Sequence, residues 1–275
     1  MVAPATETLL AHVTSGRRAK RMVAILDLVS ERGSISLAEL SETLTISAAT
    51  ARRDLSDLAA QNLLLRTHGG ASAVDRGREL PVALRDTRFQ AAKRAIAREM
   101  VERLPAERYV IALCGGTTTA GVARELASHR DIAVVTNSLT IAGLLAAFPG
   151  VRVVMTGGFL RPQSLELVGA LAESTFNSVN VGTAILGADG ITAAEGVTTH
   201  DETEARTNHA MVAKAQRAVV VADGSKIGRV ALAQCAPLDE IGMLITDSTA
   251  DADELQRIRA AGVEVVVVEV GARPN

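Results

Sequence analysis

Adjacent arginines at 52 and 53 sit among Ser47, Thr50 and Ser56, on a segment whose apolar residues Ala48, Ala51, Leu55 and Leu58 recur at helical spacing. With that stripe turned inward, Ala49, Thr50, Arg53 and Ser56 point outward and Arg52 lies nearer the flank. A guanidinium fork pairs bidentately with guanine or phosphate. The chemistry on offer is therefore recognition of duplex DNA, with Thr50 and Arg53 at base edges or nearby phosphates and Ser47 and Arg52 on the backbone. Arg66 and His68, on a short hairpin beyond, would rest as a wing on the sugar-phosphate backbone. The pattern alone equally fits a solvated helix face carrying Arg52, Arg53 and Asp54, and residues 1–75 hold eight Lys/Arg against eight Asp/Glu.

A second set of residues is rich in glycine. Cys114-Gly115-Gly116-Thr117-Thr118-Thr119 closes an apolar run and opens a helical one, where free N–H groups and the helix dipole suit a phosphate. Similar turns stand at Thr136-Asn137-Ser138, Gly157-Gly158, Gly187-Ala188-Asp189-Gly190, Gly196-Val197-Thr198-Thr199 and Asp223-Gly224-Ser225-Lys226. All but the Gly196 turn follow a predicted strand, where open α/β sheets bind their ligands. Lys226 there can complement a phosphate or an open-chain carbonyl oxygen, or can be a surface lysine in solvent. For Asp189 and Glu204, a turn-forming or helix-surface carboxylate is the plainer alternative to ligand contact.

The elements that must carry these residues follow from periodicity. Met22, Ile25, Leu26 and Val29 mark a helix over 17–32 that Gly33 ends. Ser36 and Glu39 form a capping-box pattern for a second helix that buries Leu37, Leu40 and Leu44. Thr45-Ile46 breaks it, and Ser47 caps the third helix. Leu63 to Arg66, Gly69-Gly70 and Ala71 to Val74 predict a β-hairpin. The charged stretch around Pro81 predicts a linker. Beyond a helix over 89–104, strand-like runs at 109–114, 132–136, 151–156, 181–187, 218–222, 243–246 and 263–268 alternate with helical segments, the pattern of a largely parallel sheet covered by helices. The expected organisation is a tail at 1–16, a winged helix-turn-helix at 17–74, a linker at 75–88 and an α/β domain at 89–275.

Composition narrows the function classes. Net charge is −2 and hydrophobic residues make up 48%, so the chain is globular and any DNA reading rests on local features. Four Phe, one Tyr and no Trp speak against stacking platforms for single-stranded nucleic acid. Cys114 and Cys235 lack metal or disulfide spacing; they are expected as free thiols of a cytoplasmic protein, Cys114 being inert or, with a lowered pKa at a helix start, a redox sensor. No secretory signal is expected at the start. The uncharged stretch 132–151 contains Thr136, Asn137, Ser138 and Pro149 and is read as strand, turn and helix rather than as a membrane span. No metal or cofactor is expected.

The run from Gly33 through Ser47-Ala-Ala-Thr-Ala-Arg-Arg-Asp-Leu55 to Arg66-Thr-His-Gly-Gly-Ala71 closely resembles the amino-terminal domain of DeoR-type bacterial regulators, recognition helix and wing included. The later motifs resemble the sensor domain of the same family, so the resemblance runs from about Arg17 to Val268. It implies a fold similar to ribose-5-phosphate isomerases and CoA transferases, and a phosphorylated sugar or related metabolite as effector. Carried over by motif, Gly116, Thr117 and Thr118 would cradle the phosphate, Asn137, Gly157 and Gly158 would line the pocket, and Asp189, Glu204 and Lys226 would contact the sugar or its charge. It departs from the family at Ala51, where a larger aliphatic is usual, at Cys114 and Gly115, where an acid and a serine are usual, and at Gly182, where an acid is common. The last departures imply a carboxylate missing from the pocket mouth. A homo-oligomeric repressor on double-stranded operator DNA, released by its effector, is the expectation. The alternatives are a sugar-phosphate isomerase or transferase using Asp189, Glu204 and Lys226 as acid, base and electrophile, and a winged-helix protein-interaction adaptor.

Overall fold

The computed structural model describes residues 16–73, 79–86, 88–105, 107–126, 129 and 131–270. It divides after Arg88 into two compact units. The expected tail and Val74 lie outside the described residues, apart from Gly16.

In the first unit, α1 (Gly16–Arg32) buries Met22, Ile25, Leu26 and Val29, and Gly33, at φ +75°, ends it. Strand β1 (Ser34–Ser36) follows; three residues are too few to show a period, and it was not foreseen. Helix α2 (Leu37–Thr43) begins with the full capping box of Ser36 and Glu39. Helix α3 (Ala48–Ala60) buries Ala51, Asp54, Leu55 and Leu58. Strands β2 (Leu64–Thr67) and β3 (Gly70–Ala73) are joined by His68-Gly69, and β1 pairs with β3 to make a three-stranded wing. That pairing explains Gly70: a Cβ there would collide with the Ile35 carbonyl oxygen. The segment expected as a linker contains α4 (Val82–Arg85), whose Leu84 joins the core of this unit beside Leu80. Alternating apolar residues make the segment part of the domain edge.

The second unit opens with α5 (Gln90–Glu102), β4 (Tyr109–Leu113), α6 (Thr117–Leu126), β5 (Ile132–Thr136), α7 (Leu139–Leu145) and β6 (Val151–Met155). It continues through β7 (Phe159–Arg161), β8 (Glu166–Val168), α8 (Ala170–Asn177), β9 (Val181–Leu186), β10 (Gly190–Thr192) and β11 (Gly196–Thr199). Helix α9 (Glu202–Val212), β12 (Ala215–Val221), β13 (Ala233–Ala236), β14 (Met243–Asp247), α10 (Ala252–Ala260) and β15 (Glu264–Val268) complete it. Seven strands form one parallel sheet in the order β15-β14-β12-β9-β4-β5-β6. Alternation along β4 sends Ile111 and Leu113 into a core with α5, α6 and α7, and Ala112 into a second core with α8, α9 and α10. Both faces are covered, which is why these strands read as continuous Val/Ile runs. Strand order reverses between β4 and β9, and the carboxyl ends of strands at such a reversal are where open α/β sheets bind their ligands. The stretch 132–151 resolves into strand, turn and helix, and no helix among the described residues is long and apolar enough to cross a membrane.

Candidate functional site

Helix α3 is positioned from both ends. Ser47 Oγ accepts the Thr50 amide and lies 2.9 Å from Thr50 Oγ1, so the cap fixes the helix start and ties two of the residues expected at DNA to each other. Asp54, 1% exposed, is held by Arg21 and by Arg18 at 3.5 Å, and Arg18 also pairs with Asp57. The carboxylates of α3 are thus paired with arginines of α1 rather than with Arg52 or Arg53. Reading Asp54 as part of a solvated face is corrected: it is a buried anchor. Arg52 and Arg53 are exposed, and make no ion pair among the described residues. Arg66, exposed on β2, donates to Ser56 Oγ at 2.7 Å and so links wing to helix, while His68 is exposed at the wing tip.

In the second unit the carboxyl ends of β4, β5 and β9 gather most of the expected effector residues. Gly116, at φ +130°, leads from β4 into α6, whose first turn holds Thr117 and the buried Thr118 and Thr119. Cys114 Sγ accepts the Gly187 amide and donates to the Gly115 carbonyl, both at 3.2 Å, so the thiol pins the β4 loop to the β9 loop. Lys226 Nζ lies 3.6 Å from Asp189 Oδ1. Thr199 Oγ1 reaches Asp189 Oδ2 at 3.2 Å and Glu204 Oε1 at 2.7 Å, and Arg161 donates to Glu204 Oε2 at 3.0 Å. Asp189, Glu204 and Lys226 are therefore one network, together with Thr199 and Arg161. Asn137, fully buried at the end of β5, donates through Nδ2 to Asn208 at 3.3 Å, while its Oδ1 has no partner. The Gly157-Gly158 turn lies farther out, after the edge strand β6. A Cβ on Gly158 would sit 2.7 Å from the Val168 carbonyl, so that glycine admits the β8 backbone.

Two sequence-level expectations are corrected by this geometry. Gly182 stands near the start of β9, at the amino end of the sheet, where a Cβ would run into the Tyr109 ring. It is not at the pocket mouth, and the bulk of Tyr109 accounts for the glycine. Nor does the site lack a carboxylate. Glu166, on β8 and 1% exposed, accepts the Gly115 amide, and a Cβ on Gly115 would come within 2.6 Å of Glu166 Cδ. Glycine at 115 makes room for that acid. Burial, and then the neighbouring Glu204, hold the Glu166 carboxyl well above the usual carboxylate range. Burial, and then Glu166, likewise push the Cys114 thiol up, so the redox-sensor alternative for this cysteine fails. Glu166 and Arg161 went unnoticed in the sequence; the one signal there was a lone acid inside the apolar run Leu165 to Val168.

The sequence profile of the DeoR-like helix-turn-helix domain matches residues 21–76, and that of the DeoR C-terminal sensor domain matches residues 88–248. The chain is 42% identical over 249 residues to the HTH-type transcriptional regulator GlpR of Haloferax volcanii, covering 90% of this chain and 97% of that one. It is 36% identical to a putative aga operon transcriptional repressor of Escherichia coli O157:H7, over 90% of this chain and 93% of the relative. Identity to the glycerol-3-phosphate regulon repressor of Escherichia coli K12 is 31%, over 84% and 92% respectively. Among solved structures, ribose 5-phosphate isomerase A of Methanocaldococcus jannaschii overlaps 49% of this chain and 52% of its own, at 19% identity and a TM-score of 0.36.

Proposed function

Because the chain belongs to the DeoR family of helix-turn-helix transcriptional regulators, we propose that it is a repressor of genes for sugar or related metabolite use, released from operator DNA by a phosphorylated sugar. The observation that carries the reading is α3: its apolar side and Asp54 are locked inward, and Arg52 and Arg53 stand exposed. Thr50 and Arg53 read base edges or nearby phosphates, Ser47 and Arg52 hold the backbone, and Arg66 and His68 form the wing contact. Gly116, Thr117 and Thr118 take the phosphate at the amino end of α6, Asn137, Gly157 and Gly158 line the pocket, and Asp189, Glu204 and Lys226 meet the sugar. The protein acts as a homo-oligomer that presents paired recognition helices to half-sites about one helical turn apart. The effector binds two quaternary states unequally and so shifts the population that fits the operator.

A mobility-shift titration with Arg53→Ala tests this. The variant loses about 1–3 kcal/mol of specific binding and folds normally. Unchanged DNA binding would point to an interaction adaptor, and turnover of pentose or hexose phosphates without salt-dependent DNA binding to an enzyme. Light scattering on the free protein reads the oligomer directly.

A further inference from the structure

Resting on the effector site just described, we propose that Glu166 is a specificity-determining residue of that site, and that with Glu204 and Asn137 it selects a phosphorylated ligand presenting hydroxyl groups rather than a carboxylate. An ionised carboxylate offers about four lone-pair sites. Glu166 and Glu204, 1% and 7% exposed, lie within hydrogen-bonding reach of each other. The donors on them are the Gly115 amide, the Thr199 hydroxyl, the Arg161 guanidinium, the buried Ser164 hydroxyl beside Glu166 and the proton they share. These leave part of the pair's capacity of about eight lone-pair sites unused. Beside them, the Asn137 carbonyl accepts the Leu167 amide at 2.7 Å, and Asn137 Oδ1 is wholly buried with no partner. The cations nearby are engaged, Lys226 with Asp189 and Arg161 with Glu204 and Asp201.

The cluster therefore has more acceptor sites than donors among the described residues, and buried acceptors are costly until a donor arrives. Sugar hydroxyls supply donors. A ligand carboxylate supplies none and meets like charge. Glu166 lies under the Gly115–Thr117 turn, next to the amides proposed to take the phosphate, so the hydroxyls read are those near the phosphate-bearing end of the site. Gly115 and Glu166 form one feature, since any larger residue at 115 would displace the acid.

The test uses the full chain, wild type and Glu166→Gln, with glucose 6-phosphate, 6-phosphogluconate, glucosamine 6-phosphate and inorganic phosphate as calorimetric titrants. Wild type is expected to bind glucose 6-phosphate at least about tenfold tighter than 6-phosphogluconate, the worth of one charge-assisted hydrogen bond. Glu166→Gln replaces a carboxyl oxygen, which can share its proton with Glu204 and still accept from a ligand, with an amide nitrogen that only donates; it should lose about tenfold toward glucose 6-phosphate and stay within about twofold for inorganic phosphate. The wild-type comparison stands even if the variant does not fold. Equal or tighter binding of 6-phosphogluconate overturns the proposal, as does a tenfold preference for glucosamine 6-phosphate, which would make the pair an ammonium site. A wild type that binds glucose 6-phosphate and a folded variant that binds it equally well sink Glu166 alone. A wild type that binds none of the four sinks the effector reading and this proposal with it.

Discussion

Gly115→Ala is the perturbation whose consequence the geometry constrains most tightly. The new methyl would lie 2.6 Å from Glu166 Cδ and 2.7 Å from its Oε1, about an ångström inside ordinary contact. Glu166 is buried and tied to the Gly115 amide, so it cannot swing clear. Overpacking of this kind costs about 1–3 kcal/mol, offset by about 0.4–1 kcal/mol because alanine restricts the unfolded chain, which leaves a net loss of about 1–2 kcal/mol. Glu166→Ala alone should also destabilise, by about 1–3 kcal/mol, since it orphans the Gly115 N–H. In the double variant the methyl enters vacated space, and the two losses should fall short of their sum by about 1–2 kcal/mol. The assay is urea denaturation followed by the fluorescence of Tyr109; with one Tyr and no Trp in the chain, that signal reports the second unit alone. Additivity within about 0.5 kcal/mol would refute the reasoning, because residues that do not touch behave that way.

Further outcomes rest on the same geometry. Asp54→Ala strips Arg18 and Arg21 of their buried partner and should destabilise the first unit by about 3 kcal/mol in thermal melts, near the low end for a broken buried pair because the arginines are partly exposed. Ser47→Ala removes the cap of α3 and should cost about 1 kcal/mol by the same melts, with a parallel loss in DNA affinity. Folded Glu166 keeps its proton at pH values where the unfolded chain, with an ordinary value of 4.5, has lost it. The second unit should therefore lose stability as pH rises above about 4.5, and Glu166→Gln should flatten that slope in a series of melts. Burial and raised pKa at Cys114 and Cys235 predict no alkylation by iodoacetamide at pH 7.5 until denaturant is added, checked by mass spectrometry.

What could be read in advance was whatever is local in the chain. The Ser36–Glu39 capping box, the Ser47 cap and the Val/Ile runs of the parallel sheet each declare themselves within a few residues, through 3.6-residue spacing, cap chemistry or two-sided burial. Strands β1, β7, β8, β10, β11 and β13 have three or four residues each, too few for a period, and β10 and β11 start on glycine. The site was legible where a glycine turn follows a strand. It was hidden where a partner comes from far along the chain: Glu166 reaches Gly115 across 51 residues, and Tyr109 fills the space at Gly182 across 73. In both places a departure from the family pattern marked the spot, and only the three-dimensional neighbour supplied the reason.

The central claim is that α3 presents Arg52 and Arg53 to duplex DNA. Its most direct measurement is repeated selection from a random double-stranded library by the full-length protein, in parallel with Arg52→Ala/Arg53→Ala, followed by affinity against salt for the recovered sequence. Wild type should enrich a short motif, with the variant enriching nothing and showing a log–log salt slope shallower by about 1 for each phosphate it no longer neutralises. Enrichment of the same motif by both proteins, with equal salt slopes, would contradict it.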